Sequence, residues 1–202
     1  MMMTDVLSLL IVGVSLVAWR NPRWWRRMAF SPYAVAHHRQ WDRWLTSIFV
    51  HADMWHLIVN VLVFYMFGRE VEGFLREVKG AAGPWFFLGL FLAGGILSEV
   101  GTYRKHRNDP AYLSVGASGA VAAVLFASIL LAPWATLLIW GILPVPAVVL
   151  GVGYLVFSAY MARKPDQHVN HSAHFWGSVV GVVYMLLIYP PLARSFIQQL
   201  VS

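Results

Sequence analysis

Three short patterns hold the side chains in this sequence that could do chemistry: His51-x4-His56-x3-Asn60, Gly116-Ala117-Ser118-Gly119, and Ala173-His174-x2-Gly177-x3-Gly181. Each lies in or beside a stretch apolar enough to cross a bilayer, where polar groups are costly and usually functional. A hydroxyl nucleophile, an imidazole base and donors for an oxyanion are what a hydrolase working inside the membrane needs.

Taken singly, each pattern has a plain structural reading as well. Gly116-Ala117-Ser118-Gly119 stands at a predicted helix start. Small residues there let backbones approach closely, and the unpaired N–H groups of a helix start can bind an oxyanion. Ser118 is then either a nucleophile with an oxyanion donor in its own N–H, or a cap within a packing motif. Gly177 and Gly181 follow His174 at three and seven residues, so the three share one helix face. That face has no bulk beyond the imidazole, which either bonds to a backbone carbonyl or meets a partner on the facing helix. With Ser118 as that partner, His174 would be general base and then general acid. His56 and Asn60 lie four apart on one face, and with the Ser118 N–H they would make three oxyanion donors, each worth about 2.7–4 kcal/mol in a transition state. His51 falls elsewhere on the wheel and is expected to shape the preceding loop.

The elements that must place these residues are membrane spans. The chain has 202 residues, 59% of them hydrophobic and 12% charged, with a mean hydropathy of +0.62. A soluble domain of this length could not bury so much apolar surface, so a polytopic α-helical membrane protein is expected. Six stretches approach the length needed for crossing: about 5–19, 52–67, 84–103, 115–131, 147–161 and 171–189. They are taken to form one domain over 1–202. The first stretch lacks a basic lead and a small-residue cleavage site, so it reads as a span and not a signal peptide. Residues 20–48 alternate arginine with Trp24, Trp25, Trp41 and Trp44, the composition of a membrane-interface loop. Residues 135–146, broken by Pro144 and Pro146, are expected to be a non-helical connector, and residues 162–169 a loop. Pro190 and Pro191 should stop the last helix. There are no cysteines, so disulfides and thiolate metal sites are excluded. The net charge of +6 suits interfacial anchoring; no nucleic-acid partner, metal or cofactor is expected.

Together the three patterns resemble the rhomboid family of intramembrane serine proteases, over roughly residues 41–189. The set comprises HxxxxHxxxN in the second span, GxSG in the fourth and AHxxGxxxG in the sixth, with Gly68-Arg-Glu-Val-Glu72 matching a GxxxE that follows the second span. The resemblance implies a compact six-transmembrane-helix bundle with an interface loop between helices 1 and 2. It implies a Ser118–His174 dyad without an acidic third member, and an oxyanion site at His56, Asn60 and the Ser118 backbone. Structural support would come from His51, Gly116, Gly119, Gly177, Gly181, Arg43 and Glu72. Substrates would be single-pass or other transmembrane proteins, cut where their helices unwind and after a small residue.

The sequence departs from the family pattern twice. Arg43 matches the arginine of a Trp-Arg pair in the first loop, but Asp42 precedes it, with Trp41 one further on. Ala122 stands where many members carry an aromatic residue that stacks on the catalytic histidine.

Other intramembrane chemistries fit less well. A zinc protease needs HExxH, and no glutamate accompanies the histidine pairs. An aspartyl protease needs two aspartates within spans, whereas Asp5, Asp42, Asp53, Asp109 and Asp166 lie at ends or in loops. A proton-coupled transporter needs a mid-span carboxylate; the one candidate, Glu99, near the end of the third stretch, reads as interfacial. The remaining alternative is a rhomboid-like protein that binds transmembrane helices without cutting them. The loops joining spans 1–2, 3–4 and 5–6 hold most of the arginine and lysine, which by the positive-inside rule places the site toward the cytoplasm. The bacterial members it resembles imply the opposite face, and a location in the plasma membrane of a prokaryote.

Overall fold

The computed structural model describes residues 1–139, 142–164 and 169–201. Helix α1 is Met3–Trp19. Three short helices follow, α2 (Pro22–Met28), α3 (Pro32–His38) and α4 (Arg43–Thr46), with a 3-10 turn at Ser47–Phe49. Helix α5 runs Met54–Lys79, α6 Gly83–Leu97, α7 Val100–His106 and α8 Ser118–Leu131. Strands β1 (Thr136–Ile139) and β2 (Leu143–Pro146) pair antiparallel. Helices α9 (Ala147–Met161), α10 (His171–Ile188) and α11 (Pro191–Val201) complete the chain.

Two described stretches, Met54–His106 and His171–Ile188, are long and apolar enough to cross a membrane by length and composition; Met3–Trp19, Ser118–Leu131 and Ala147–Met161 are apolar but shorter. The six equivalent spans expected from the sequence are therefore unequal elements. The second, expected at 52–67, continues to Lys79 because Gly68 does not end it: that glycine is buried against Thr4 and Phe87. The third, expected at 84–103, breaks at Ser98–Glu99 and resumes as α7. The fourth begins at Ser118, not 115. The connector at 135–146 is a hairpin in its described part; two-stranded edges tolerate the prolines. Residues 20–48, expected as a loop, contain α2 to α4, each of α2 and α3 opened by a proline with a side-chain cap, Asn21 and Ser31. Pro191–Val201, expected as a short tail, is helical. Of the loop expected at 162–169, residues 165–168 lie outside the described residues.

Helix α8 is the centre. Every residue from Gly119 to Leu130 is buried, against α10, α6, α5 and α9. A helix apolar on all sides has no water-facing stripe and belongs in an interior. Around it Trp55, Ile58, Leu62 and Met66 of α5 and Val149, Val152 and Val156 of α9 are exposed, while Arg43 and Glu72 are buried. Bare apolar helix faces of this extent suit lipid rather than water.

Two inward charges tie the periphery together. Glu72, with 0% exposure, accepts hydrogen bonds from the Met3 N–H at 2.9 Å and from the Thr4 N–H and hydroxyl at 2.8 Å each. Arg76 pairs with it at 2.8 Å. The carboxylate thus satisfies the open N–H groups at the start of α1. Arg43, 7% exposed, donates to the carbonyls of Arg26 at 2.8 Å and of Ala29, and to Gln40 at 2.6 Å. It holds α2 to α4 as one body. Asp42, the departure beside it, forms an exposed pair with Arg27 at 2.7 Å; those hydrogen bonds hold its carboxyl below the ordinary value.

Replacing Glu72 by Ala should leave the Met3 and Thr4 N–H groups without partners, at about 1–3 kcal/mol for each buried orphan. The expected outcome is a fall of about 2 kcal/mol or more in unfolding free energy, read by pulse proteolysis in detergent. Arg76→Ala, which removes only a half-exposed partner, should cost under about 1 kcal/mol.

Candidate active site

The serine sits at the first residue of α8, after a turn that only this sequence of small residues permits. Gly116 has φ +116°, a conformation side chains rarely adopt, and a Cβ there would lie 2.6 Å from the His56 ring. Ala117 donates its N–H to His51 Nε2 at 3.3 Å, and Gly116 donates to the Ser47 carbonyl at 3.0 Å. His51 is completely buried. Since Nε2 accepts, Nδ1 carries the proton and faces Ser15 Oγ at 3.0 Å; Ser15 in turn donates to the Phe49 carbonyl at 2.9 Å. The indoles of Trp19 and Trp25 both donate to the His51 carbonyl, at 2.8 and 2.9 Å. His51 therefore fastens the turn before Ser118 to α1.

His174 is brought opposite by glycine. A Cβ on Gly177 would strike the carbonyl of Gly119, and one on Gly181 the carbonyl of Ala123. Helix α10 thus lies backbone to backbone along α8. Gly119 is equally constrained on its other side, by Ser98 and the Gly94 carbonyl of α6. Asn170 caps α10, its Oδ1 accepting the Ala173 N–H at 3.1 Å, so His174 stands at the first turn of its helix, as Ser118 does at the start of α8.

His56 and Asn60 come from α5, which Asp53 caps through the His56 N–H at 2.8 Å. Asn60 is 6% exposed. Its amide donates one hydrogen to the His56 carbonyl at 2.8 Å, which leaves the second for another acceptor. Ser118, His174, His56 and Asn60 line one cavity of about 770 Å³. Trp25 reaches it from α2 and Tyr154 from α9. Among the described residues no hydrogen bond joins Ser118 to His174. Arg43 and Glu72 lie outside this cavity, within the anchors described above.

Tyr154 was not singled out in the sequence. Its ring stacks on His174, centroids 6.0 Å apart and planes at 15°. Ala122 lines the same cavity, so the aromatic absent from α8 has a counterpart on α9. A lone tyrosine in an apolar helix gives no signal of this. Glu99, read from the sequence as interfacial, points both oxygens at side chains beside the site, Ser114 and Asn170. An Asn three residues before a helical N–H is a readable cap, so Asn170 could have been found.

A family model described as "Rhomboid domain" matches residues 38–191. "RHOMBOID-like protein 12, mitochondrial" of Arabidopsis thaliana is 30% identical over 154 residues, 69% of this chain and 44% of its own. "Rhomboid-like protein 11, chloroplastic" of the same plant is 31% identical over 160 residues, 73% of this chain and 52% of its own. A rhomboid of Bacillus subtilis (strain 168) is 33% identical over 82 residues, 41% of this chain and 37% of its own. The chain spans about half the length of the two plant relatives, and less of the bacterial one.

The contact between α8 and α10 makes a sharp expectation. Gly177→Ala should destabilise the protein by at least about 1–3 kcal/mol, the usual cost of overpacking, because its new neighbour is a carbonyl that cannot rotate aside. Gly153→Ala, on the same scaffold but facing open space, should be neutral or gain up to about 1 kcal/mol. Thermal unfolding in one detergent compares the two.

Proposed function

From the premise that the chain belongs to the rhomboid family, we propose that it is an intramembrane serine endopeptidase with a Ser118–His174 dyad. The observation that carries this reading is the convergence of Ser118, His174, His56 and Asn60, from three helices, on one cavity. Ser118 Oγ attacks the scissile carbonyl carbon as its proton passes to His174. The oxyanion that forms is held by the Ser118 N–H, the free amide hydrogen of Asn60 and the His56 ring. His174 then protonates the amine as the C–N bond breaks, and water, activated by His174, releases the acyl group from Ser118. Catalytic hydrogen bonds are commonly long without substrate and tighten when it binds, which accommodates the open Ser118–His174 contact.

Substrates in this reading are transmembrane helices that unwind locally, since a helical carbonyl is already hydrogen-bonded. Glycine, proline or other weak helix formers near the cut favour that. The chain is an integral membrane rhomboid domain, and we take α1, α5, α6 with α7, α8, α9 and α10 as its six crossing elements within a single domain over 1–202. At 1.5 Å per residue α8 is about 21 Å long, short of the roughly 30 Å hydrocarbon layer. Sheathed by its neighbours, it sets Ser118 below the membrane surface, and the cavity supplies water from one side. The matched relatives include mitochondrial and chloroplastic proteins, so they do not support the prokaryotic plasma membrane expected from the sequence.

The test is labelling of the purified protein by a fluorophosphonate together with cleavage of a reporter transmembrane helix. Ser118→Ala and His174→Ala should each lose more than about 10⁴-fold in rate. Labelling that is equal in wild type and Ser118→Ala, with an intact reporter, would leave the helix-binding reading without cleavage. Tyr154 adds a graded prediction. Tyr154→Phe should keep the wild-type rate, while Tyr154→Leu should lose roughly five-fold, the kinetic equivalent of about 1 kcal/mol of ring stacking.

A further inference from the structure

Glu99 stands at the break between α6 and α7 and is unused by the chemistry above. Its Oε1 accepts from Ser114 Oγ at 3.1 Å and from Asn170 Nδ2 at 3.2 Å, and its Oε2 from Asn170 Nδ2 at 3.0 Å. Thr102, one turn on in α7 and buried, adds its hydroxyl, 2.9 Å from the same nitrogen. These partners belong to two distant segments. Ser114 lies four residues before Ser118, and its backbone is fixed by paired bonds to Phe30 at 2.8 and 3.0 Å. Asn170 lies four residues before His174 and caps the helix that carries it.

We propose that Glu99 is a positioning residue that sets the Ser118–His174 geometry by holding both segments on one carboxylate. The inference rests on the protease reading above.

The reason lies in donor and acceptor types. Both Glu99 oxygens accept from the Asn170 NH2, which draws it toward the carboxyl group and thereby turns Oδ1 toward α10. That is the orientation in which Asn170 can cap the Ala173 N–H. Reversed, the amide would present its NH2 to an N–H, and the first turn of α10, where His174 sits, would lose its cap. The same carboxyl group receives the Ser114 hydroxyl, so the segment leading to Gly116 and the start of α10 share a fixed point. The glycine contact between α8 and α10 sets how near the helices lie. It does not stop α10 from rotating or sliding at its first turn; the carboxylate does. No hydrogen bond joins the imidazole to Ser118; Tyr154 stacks on its ring, and where the ring stands relative to Ser118 follows from the seating of the first turn of α10. A misplacement of about 1 Å costs roughly 100-fold in rate.

The experiment measures, on purified full-length protein, the fluorophosphonate labelling rate at Ser118, kcat and KM on the reporter helix, and the thermal unfolding midpoint. The variants are Glu99→Ala, Glu99→Gln, Asn170→Ala and the Glu99→Ala/Asn170→Ala double variant. Glu99→Ala should lower the labelling rate and kcat roughly 100-fold with KM held within about two-fold. Glu99→Gln, similar in size and still folded should Glu99→Ala fail, should lose roughly 10-fold, since its own NH2 opposes that of Asn170. The double variant should be no slower than the worse single one, because both remove the same link. A labelling rate within two-fold of wild type in a folded Glu99 variant overturns the proposal. So do multiplicative losses in the double variant, or losses that merely follow the folded fraction. Wild-type protein that does not label at Ser118 refutes the protease reading itself, a result separable from all of these.

Discussion

The approach of α10 to α8 is the constraint on which the other contacts depend. Gly177 meets the Gly119 carbonyl and Gly181 the Ala123 carbonyl, with no room for a methyl group. Both backbones are regular helices with internal hydrogen bonds, so the contact leaves no carbonyl or N–H unsatisfied, a requirement that lipid makes severe. Close packing of small residues also replaces a hydrophobic driving force that is absent between helices in a bilayer. Once these two axes are fixed, α6 is held by Gly94 against α8, and α5 fills the remaining side. Helix α8 becomes the inner post of the molecule and its first residue the floor of a cavity.

Polar groups then do what apolar packing cannot, which is to fix register and orientation at the ends of helices. Glu72 serves the start of α1, Arg43 the short helices α2 to α4, His51 the turn before Ser118, and Glu99 with Asn170 the start of α10. In each case one side chain satisfies two or more partners from different segments. Such satisfied networks are stable in a poor solvent for charge, because the alternative partner, water, is scarce. The exposed Arg27–Asp42 pair shows the contrast: it joins two surface side chains and fixes nothing further.

The grouping of the candidate site residues was more legible in the sequence than the architecture. Ser118, His174, His56 and Asn60 could be named from residue type and helical spacing, and the cavity does gather them. The glycines at 177 and 181 were readable because an absence of bulk at helical spacing has few meanings. Helix lengths were not readable from apolarity. The second stretch was expected to end at residue 67, yet Gly68 is a helical contact with Thr4, and the charged segment beyond it stays helical as Glu72 reaches another helix. Glu99 reads as interfacial because a carboxylate at the end of an apolar run suggests water, and only the fold shows that Ser114 and Asn170 donate to it. Tyr154 left no trace, because stacking on His174 depends on the placement of α9, which no local pattern encodes.

Ala122 and Tyr154 meet in the same cavity from different helices, and the ring on α9 stacks on His174. The residue four after Ser118 lies one turn along α8, so an aromatic there would reach the cavity from the serine's own helix. Alanine instead lets α8 be buried on every side, with Leu125 and Phe126 packing onto α9. That packing is what brings Tyr154 to the imidazole. The small residue on the inner helix and the large ring on the outer one are thus a single exchange of volume. Its consequence is mechanical: support for the proposed base now comes from a helix whose outer face is bare, so the orientation of His174 is tied to the seating of α9 against α8 rather than to α8 alone.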